Sequence, residues 1–316
     1  MRTLQELKVV FMGTPEFAVP TLQRLLEQKI PVVGVVTGPD KPAGRGLRLQ
    51  PTPVKKLAAS AGLPILQPEK LRDPQFIENL QAWQAEVFVV VAFRILPKEV
   101  FTIPPRGAVN IHAALLPKYR GAAPIQWAII NGEHETGVTT FFIEEKVDTG
   151  DMILQRKTAI GEFETAGELH DRLAVMGADL LVETLAQITA GAVLRQPQVG
   201  QISLAPKITK EMAAIAWQKS AREIFNFVRG MNPAPGAFTI WRGSHLKIFR
   251  THVLNHVSSG YEAGAVVRSD ERKGELVVQA GMGHLAIDEL QIEGKRRISA
   301  AEFLRGHQVQ IYEKLG

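Results

Sequence analysis

The feature of this sequence that most limits its fold is an alternation of short apolar runs with amphipathic stretches in its first half. The apolar run 8–12 is followed by Gly13-Thr14-Pro15 and then by the stretch 16–28, whose apolar residues recur at helical spacing. Further strands are predicted at 31–37, 64–66, 87–92, 108–112 and 138–143, with helices at 52–60 and 74–83. This alternation predicts a Rossmann-like α/β domain with a parallel sheet covered on both faces.

The second half of the chain follows a different pattern. A long helix is predicted over 165–190, ended by Gly191, and the stretch 192–206 has two prolines and no clear period. A helix-like segment at 221–230 then precedes short strand-like runs at 237–241, 246–252, 264–267, 276–280 and 284–290. Short strands with glycine turns favour a small OB-like β-barrel. The predicted division is a first domain at 1–190, a linker at 191–208 and a C-terminal barrel at 209–316.

The positive charge of the chain is concentrated in its second half. The formal net charge is +5, with 20 Lys/Arg against 21 Asp/Glu in residues 1–194 and 17 against 11 in residues 195–316. A basic second domain beside a neutral first one favours a nucleic-acid partner, because neutralising phosphates supplies affinity that does not depend on sequence. A merely basic surface is the other interpretation of the same charges.

Composition excludes several other classes of protein. The chain has no cysteine, so it has no disulfide, no thiolate nucleophile and no zinc–thiolate site, as is typical of a reducing compartment. Its first residues are charged and lead directly into a strand, and no run approaches about 20 apolar residues. We therefore expect a cytoplasmic protein that makes no use of a membrane.

A strand, a glycine turn and a helix also begin a dinucleotide site, so that alternative must be considered. Gly13-Thr14-Pro15-Glu16-Phe17 lacks the second and third glycines that admit a pyrophosphate. The other glycine pair, in Gly44-Arg45-Gly46, follows no junction between a strand and a helix. The sequence therefore argues against a nicotinamide cofactor.

Three residues from two segments are the candidates for catalysis. Asn110 and His112 are two apart in a predicted strand, so both side chains project from the same side of the sheet. Asp148 lies in the turn that follows the next predicted strand. Asparagine or histidine alone near a strand end is more often structural. Together, however, an amide donor, an imidazole with a ring N–H and a carboxylate acceptor suit the transfer of an acyl group to an amine.

Around these residues the chain resembles the methionyl-tRNA formyltransferases, a family of the folate-dependent formyltransferase superfamily. The motifs are Phe-Met-Gly-Thr-Pro-Glu-Phe-Ala at 11–18, Pro-Asp-Lys-Pro-Ala-Gly-Arg-Gly at 39–46, Val-Asn-Ile-His at 109–112, Leu-Leu-Pro-Lys-Tyr-Arg-Gly-Ala-Ala-Pro-Ile-Gln at 115–126, Asp-Thr-Gly-Asp-Met at 148–152 and Asn-Pro-Ala-Pro-Gly-Ala at 232–237. Those between 109 and 152 identify only the superfamily. The Pro-Ala-Gly-Arg-Gly loop and the basic linker narrow the resemblance to the tRNA enzymes.

The resemblance implies both a reaction and a set of site residues. The formyl group of 10-formyltetrahydrofolate would pass to the α-amino nitrogen of methionine on initiator tRNA, by direct attack of the amine and through a tetrahedral intermediate. It implies no metal and favours a monomer. By motif, the catalytic residues would be Asn110, His112 and Asp148, and the folate site would be lined by Ala114, Leu115, Leu116 and Pro117.

The resemblance also implies where the chain contacts tRNA. The loop 38–51 would engage the acceptor end, with Arg45 as its most important residue, and Lys207 and Lys210 match basic linker positions. Glycines let the backbone approach nucleic acid, while arginine forms forked bonds to phosphate or to a guanine edge. At the folate edge the chain departs from the family, because 92–97 is one residue shorter than usual and lacks a glycine. We therefore expect an active enzyme with a reshaped folate edge.

Two other functions share part of this pattern. A nucleotide-sugar amine formyltransferase would have the same trio and folate, but it would lack the tRNA loop and the basic C-terminal domain. A non-catalytic tRNA-binding protein would have lost the trio or closed the donor pocket. The sequence keeps the trio, the loop 38–51 and the basic second half, and so favours the tRNA enzyme.

Overall fold

A computed structural model describes residues 3–43, 48–254 and 260–316 of the chain. Its larger sheet has seven strands in the spatial order β5-β2-β1-β6-β7-β8-β9. Their bounds are β1 Val9–Gly13, β2 Val32–Val36, β5 Ile65–Leu66, β6 Val87–Val91, β7 Ala108–His112, β8 Glu135–Phe142 and β9 Met152–Ala159. A short antiparallel pair, β3 Lys41–Ala43 and β4 Arg48–Gln50, lies outside this sheet.

Helices connect the strands of the larger sheet. They are α1 Val19–Glu27, α2 Pro53–Ser60, α3 Pro74–Ala82, α4 Lys98–Phe101, α5 Pro124–Ile130 and α6 Ala166–Ala190. Several begin with the expected chemistry, because α2 and α3 each start with proline, and the side chains of Thr52 and Asp73 accept hydrogen bonds from the first-turn backbone. The predicted α/β class is confirmed.

The sequence predicts a wholly parallel sheet, but the strands at one edge of the observed sheet are antiparallel. β5, β2, β1, β6 and β7 are parallel, whereas β8 pairs antiparallel with β7, and β9 pairs antiparallel with β8. Asn110 lies opposite Phe141, and His112 lies opposite Thr139. Because β8 runs antiparallel to β7, it ends with Phe142 opposite Val109, near the start of β7, and the following turn leads to the edge strand β9.

The centre of the larger sheet is apolar on both faces. Every residue of β1 and β6 is buried, as expected for central parallel strands. Each Val, Leu or Phe side chain buried in this way contributes roughly 1.5–3 kcal/mol of stability. Helix α6 meets the length and composition of a membrane span, although half of its most apolar window is buried within the protein. Leu173, Leu181 and Leu185 are fully buried, which is typical of a core helix.

The chain divides into two compact units. One unit runs to Ala122 and includes Glu135–Ala159 and His170–Ala205, while the second comprises Ala123–His134, Ile160–Leu169 and Pro206–Gly316. The second unit contains an antiparallel sheet in the order β10-β11-β14-β13-β12, with β15 paired to β14, which is consistent with the predicted small barrel. Its elements are α7 Ala221–Gly230, β10 Ala237–Trp241, β11 Ser244–Leu254, β12 Val266–Asp270, β13 Glu275–Gln279, β14 His284–Ile292, β15 Ile298–Ser299 and α8 Ala300–Gly306.

Candidate active site

The carboxyl end of strand β7 presents two polar side chains within a buried strand. His112 is 5% exposed, and Asn110 is half-buried. The two residues alternate along the strand and therefore project from the same face. The Asn110 side chain makes no hydrogen bond with any residue in the described ranges, so its amide keeps its donors and its acceptor for a ligand.

The orientation of the His112 ring is fixed by one hydrogen bond. Nε2 lies 2.8 Å from the backbone carbonyl oxygen of Tyr119. Because a carbonyl only accepts, Nε2 must carry a proton, and the neutral ring then has its lone pair on Nδ1. Tyr119 itself is buried, with a φ of +59° that turns the chain back towards β7. The predicted donation of a ring N–H to a ligand therefore requires a proton on Nδ1.

Asp148 approaches that same ring nitrogen. Its Oδ2 lies 3.7 Å from His112 Nδ1, and its side chain is 12% exposed. The same oxygen accepts a hydrogen bond of 2.8 Å from the backbone N–H of Gly121. Asp148 has a φ of +54°, a conformation uncommon outside glycine that aims its carboxylate back over the sheet edge. The structure thus brings His112 and Asp148 together at the end of the strand that carries Asn110.

A segment that sequence reasoning treated only as a linker holds the loops around the trio. Gln198 Nε2 donates to the carbonyl oxygens of Asp148 and Gly150, both at 2.9 Å. Its Oε1 accepts from Arg120 Nη2 at 2.6 Å and from Nε at 3.1 Å. Ser203 Oγ accepts the Tyr119 N–H at 2.9 Å. Gln198 therefore ties the loop of Asp148 to the loop that orients His112, and no sequence pattern marked it.

The predicted folate segment begins directly after β7. Ala114, Leu116 and Pro117 are buried, whereas Leu115 is half-buried and offers accessible apolar surface. Thr139 Oγ1 donates to the Ala114 carbonyl at 2.7 Å and accepts the Leu116 N–H at 3.2 Å. These bonds fix the backbone of the segment against β8. Leu115 is consequently the member of the set whose side chain is available to a ligand.

The shortened segment after β6 carries a half-buried arginine. Arg94 donates to the carbonyl oxygens of Glu69 at 2.9 Å and Pro68 at 2.8 Å, while its Nε atom is buried without a hydrogen-bond partner among the described residues. Burial lowers the pKa of the Arg94 guanidinium from its usual value. Its neighbour Ile95 is 71% exposed. An unsatisfied donor and an exposed apolar side chain therefore lie beyond the carboxyl end of β6, where ligands bind in sheets of this class.

The predicted tRNA residues fall in different places. Arg45 lies outside the described residues, so the structure says nothing about it. Lys207 and Lys210 are exposed in the second unit. Across 3–43, 48–254 and 260–316, no group of three or more His, Asp or Glu side chains has the arrangement of a metal site.

The trio provides the parts that acyl transfer to an amine requires. Asn110 has an amide able to donate to a developing oxyanion, and an oxyanion is stabilised most by donors that are already in place. His112 Nδ1 and the Asp148 carboxylate lie 3.7 Å apart, which places a potential proton donor beside a potential acceptor. No nucleophilic serine or cysteine arrangement is needed if the amine attacks the acyl carbon directly.

Comparison with known families gives matches over most of the chain. The sequence model described as "Formyl transferase" matches residues 7–185, and that described as "Formyl transferase, C-terminal domain" matches residues 207–308. A methionyl-tRNA formyltransferase of Pelotomaculum thermopropionicum is 50% identical over 301 residues, covering 95% of this chain and 96% of the relative. One from Acetivibrio thermocellus is 45% identical, with 98% and 100% covered.

Solved structures with the same fold include two proteins that were solved with a bound folate. An N-formyltransferase from Helicobacter canadensis, solved with folinic acid and dTDP-3-aminofucose, has a TM-score of 0.64 at 22% identity, covering 89% of this chain and 99% of that one. HypX from Aquifex aeolicus, solved with tetrahydrofolic acid, has a TM-score of 0.64 at 17% identity, with 94% and 46% covered. At these identities the likeness is one of fold.

Proposed function

The chain belongs to the methionyl-tRNA formyltransferase family, and we propose that Asn110, His112 and Asp148 carry out its reaction. That reaction transfers the formyl group of 10-formyltetrahydrofolate to the α-amino group of methionine on initiator tRNA, for use in translation initiation. The observation that supports these roles is the 3.7 Å approach of the Asp148 carboxylate to His112 Nδ1, beside an Asn110 amide that has no partner among the described residues.

Asn110 acts on the formyl oxygen. When the methionine amine attacks the formyl carbon, the C=O double bond opens and its oxygen gains negative charge. A donor that is already in place stabilises this charge without reorganisation, because the protein has oriented the amide in advance. Strand β7 is paired on both sides, to β6 and β8, which holds Asn110 rigidly.

His112 and Asp148 handle the proton that the amine loses. Attack leaves the amine nitrogen with an excess proton, and N10 of the folate must gain one before the C–N10 bond breaks. The Asp148 carboxylate accepts this proton or holds it on His112 Nδ1, where the charged ring donates to the same oxyanion as Asn110. The pair then passes the proton to N10, and the C–N10 bond breaks as the C=O double bond forms again. The Tyr119 carbonyl then stabilises the other ring N–H.

The folate supplies the formyl group and the leaving nitrogen. We propose that Ala114, Leu115, Leu116 and Pro117 border its site, with Leu115 as the side chain in contact and the backbone of the others as the wall. The exposed Ile95 and the buried, unpaired Nε of Arg94 suit the apolar face and the polar edge of a pterin. The side chains that follow β6 are therefore suited to contact the pterin, in the segment where the sequence departs from the family.

Transfer to tRNA rather than to a sugar is tested with the purified chain. Offered 10-formyltetrahydrofolate, methionyl initiator tRNA and a panel of nucleotide-linked amino sugars, the protein should formylate the tRNA and leave the sugars unchanged. Faster formylation of any amino sugar would contradict the assignment. The Helicobacter canadensis N-formyltransferase solved with an amino sugar is 22% identical to this chain, whereas the two tRNA relatives are 45% and 50% identical, which supports the first outcome.

Lys207 and Lys210 are proposed to bind tRNA phosphates, together with Arg45. Replacing either lysine with alanine should weaken tRNA binding uniformly and reduce the slope of log affinity against log salt by about 1, because one phosphate contact is lost. Fluorescence anisotropy across a salt series measures this slope. Lys295→Ala, which removes one exposed charge elsewhere in the second unit, is the control. An equal loss in that control would mean a nonspecific effect of charge.

Gln198 is proposed to position the catalytic loop. Gln198→Glu keeps an oxygen for Arg120 but removes both N–H donors to the Asp148 and Gly150 carbonyls. We expect kcat to fall about tenfold, since one or two hydrogen bonds of ~1 kcal/mol each are lost, with KM for the folate unchanged. Single-turnover kinetics separates the two constants. A variant with normal kcat would show that the loop holds its geometry without Gln198.

The domain division follows from the same proposal. We propose that 1–190 carries catalysis, that 191–208 links the domains and that 209–316 binds tRNA, in a monomer that works in the cytoplasm. The basic excess of residues 195–316 supports the tRNA role of the last segment. Sedimentation of the purified chain at micromolar concentration tests the monomer.

A further inference from the structure

A recess in the second unit is lined by none of the residues assigned to catalysis. It measures about 140 Å³, and its walls come from the loop before α6, from α7 and from the neighbouring strands β11 and β14. A cavity of about 150 Å³ accepts a benzene ring, so the recess is the size of one ring system. Its lining residues are Phe163, Thr165, Phe225, Val228, Arg229, Phe249, Arg250, Thr251 and Asp288.

The rim of the recess carries an exposed aromatic ring. Phe163 is 64% exposed, and its ring meets Phe225 edge-on, with centroids 5.7 Å apart. Phe163 also lines the recess, so its accessible ring can meet a ligand that enters there. Arg250 lies at the same rim, 57% exposed, and its pairs with Glu168 and Glu289 are long, at 3.5 and 3.6 Å. The recess is therefore lined by both an accessible aromatic ring and an accessible guanidinium.

The wall of the recess holds a buried positive charge without an acidic hydrogen-bond partner. The Arg229 guanidinium is 8% exposed. It donates to Asn226 Oδ1 at 3.0 and 3.1 Å and to the carbonyl oxygens of Gly161 at 3.1 Å and Glu164 at 3.2 Å, all of which are neutral. Burial lowers the pKa of Arg229 from its usual value, which reflects the cost of keeping this charge from water. The carboxylates of Glu162 and Glu164 act on this charge without accepting these hydrogen bonds, so an anionic ligand in the recess would add a closer counter-charge.

One polar side-chain atom in the recess has no hydrogen-bond partner within the described part of the chain. The hydroxyl oxygen of Thr251 is buried and unpaired in a residue that is 5% exposed. An unsatisfied buried hydroxyl destabilises a protein, and valine, with the same shape, would avoid that cost. Asp288, by contrast, is bonded to His252 Nδ1 at 2.9 Å. The threonine is therefore best explained by a ligand that completes its hydrogen bond.

We propose that this recess binds one unstacked nucleotide of the initiator tRNA. The base would stack on Phe163 and bond through its edge to the Thr251 hydroxyl, while Arg250 and Arg229 attract its phosphate. Stacking on an aromatic ring beside an arginine is the usual way in which proteins hold a single-stranded base. This inference rests on the proposed function, because it takes the same tRNA as its partner.

The test compares two variants of the full chain by anisotropy with initiator tRNA. Phe163→Ala should weaken binding about tenfold or more through lost stacking, without changing the salt slope, since no phosphate contact is removed. Thr251→Val should weaken binding about threefold to tenfold and at the same time raise the melting temperature. A role in folding alone would lower the melting temperature and leave the affinity of the folded protein unchanged.

Matched controls come from the same unit. Thr239 is equally buried, but its hydroxyl accepts from Trp217 Nε1 at 3.0 Å, so Thr239→Val should lower the melting temperature and leave tRNA affinity unchanged. Met282→Ala removes another exposed apolar side chain, 70% exposed, outside the recess and should not affect binding.

Three outcomes would overturn the inference. The first is normal tRNA affinity in both recess variants, and the second is a loss of tRNA affinity in Met282→Ala equal to that in Phe163→Ala. The third is that free nucleoside 5′-monophosphates, but not tRNA, protect the recess residues from hydrogen exchange. Each leaves the proposed function standing if the wild-type chain still formylates methionyl-tRNA. Failure of the wild-type chain to formylate would instead refute the proposed function.

Discussion

Replacing Asn110 with aspartate is expected to lower kcat by about a thousandfold or more while the protein still folds. Loss of one oxyanion donor costs about 10²–10³ in kcat, and a carboxylate at this position adds repulsion where negative charge develops. The shape of the side chain is conserved, and its half-buried position on β7 makes no hydrogen bond within the described ranges that folding would lose. Asn110→Asp should therefore lower kcat and leave the stability of the folded protein nearly unchanged.

The ranking of two substitutions identifies the cause of that loss. Asn110→Ala removes the donor without adding charge, so its kcat should lie between those of the wild type and Asn110→Asp. Single-turnover formylation at saturating folate and tRNA measures kcat, and thermal melting confirms the fold of each variant. Near-normal turnover in Asn110→Asp would refute the role of the amide.

The elements that the sequence predicted best are those whose surroundings are uniform. Strand β7 and helix α7 were predicted at their observed bounds, and β10 likewise. In β7 every residue except Asn110 is buried, in β10 buried residues alternate with half-buried ones, and α7 has a Ser220–Glu223 capping box at its start. In these elements the local sequence and the tertiary environment favour the same secondary structure, so the sequence alone is sufficient to predict their bounds.

Elements at the margins of the sheet were missed for physical reasons. Strand β9 lies at the sheet edge and alternates polar with apolar residues, so only Ile153 is fully buried. The apolar helix α5 is seven residues long, too short for its period to be distinguished from that of a buried strand. The antiparallel direction of β8 also depends on the length and turn of its connection, which periodicity does not encode.

The sequence predicted which residues form the candidate site, but it did not predict how their side chains approach one another. Residue types and spacing indicated Asn110, His112 and Asp148, whereas their approach depends on positive φ values at Tyr119 and Asp148. Both residues are non-glycine, so no local signal announces such a conformation. The Gln198 contacts lie 48 and 50 residues away in sequence, in a stretch with no period, and long-range hydrogen bonds of this kind leave no pattern.

Asp148→Asn is expected to lower kcat by about 10²–10⁴, the range typical of losing a general acid or base. The amide still has an oxygen to accept the Gly121 N–H, so the loop keeps that bond, but it can neither take a proton nor stabilise a charged His112. KM for the folate and affinity for tRNA should change little, because the carboxylate acts on the proton rather than on binding.

The contrast with a neighbouring carboxylate makes this expectation specific. Asp151 lies three residues further along the same loop, and no side-chain contact links it to His112 among the described residues. Asp151→Asn removes the same charge from the same stretch and should retain near wild-type kcat. If both variants lose activity equally, the loss reflects the total charge of the loop. If Asp148→Asn alone remains active, the proton must travel by a route that avoids the His112–Asp148 pair.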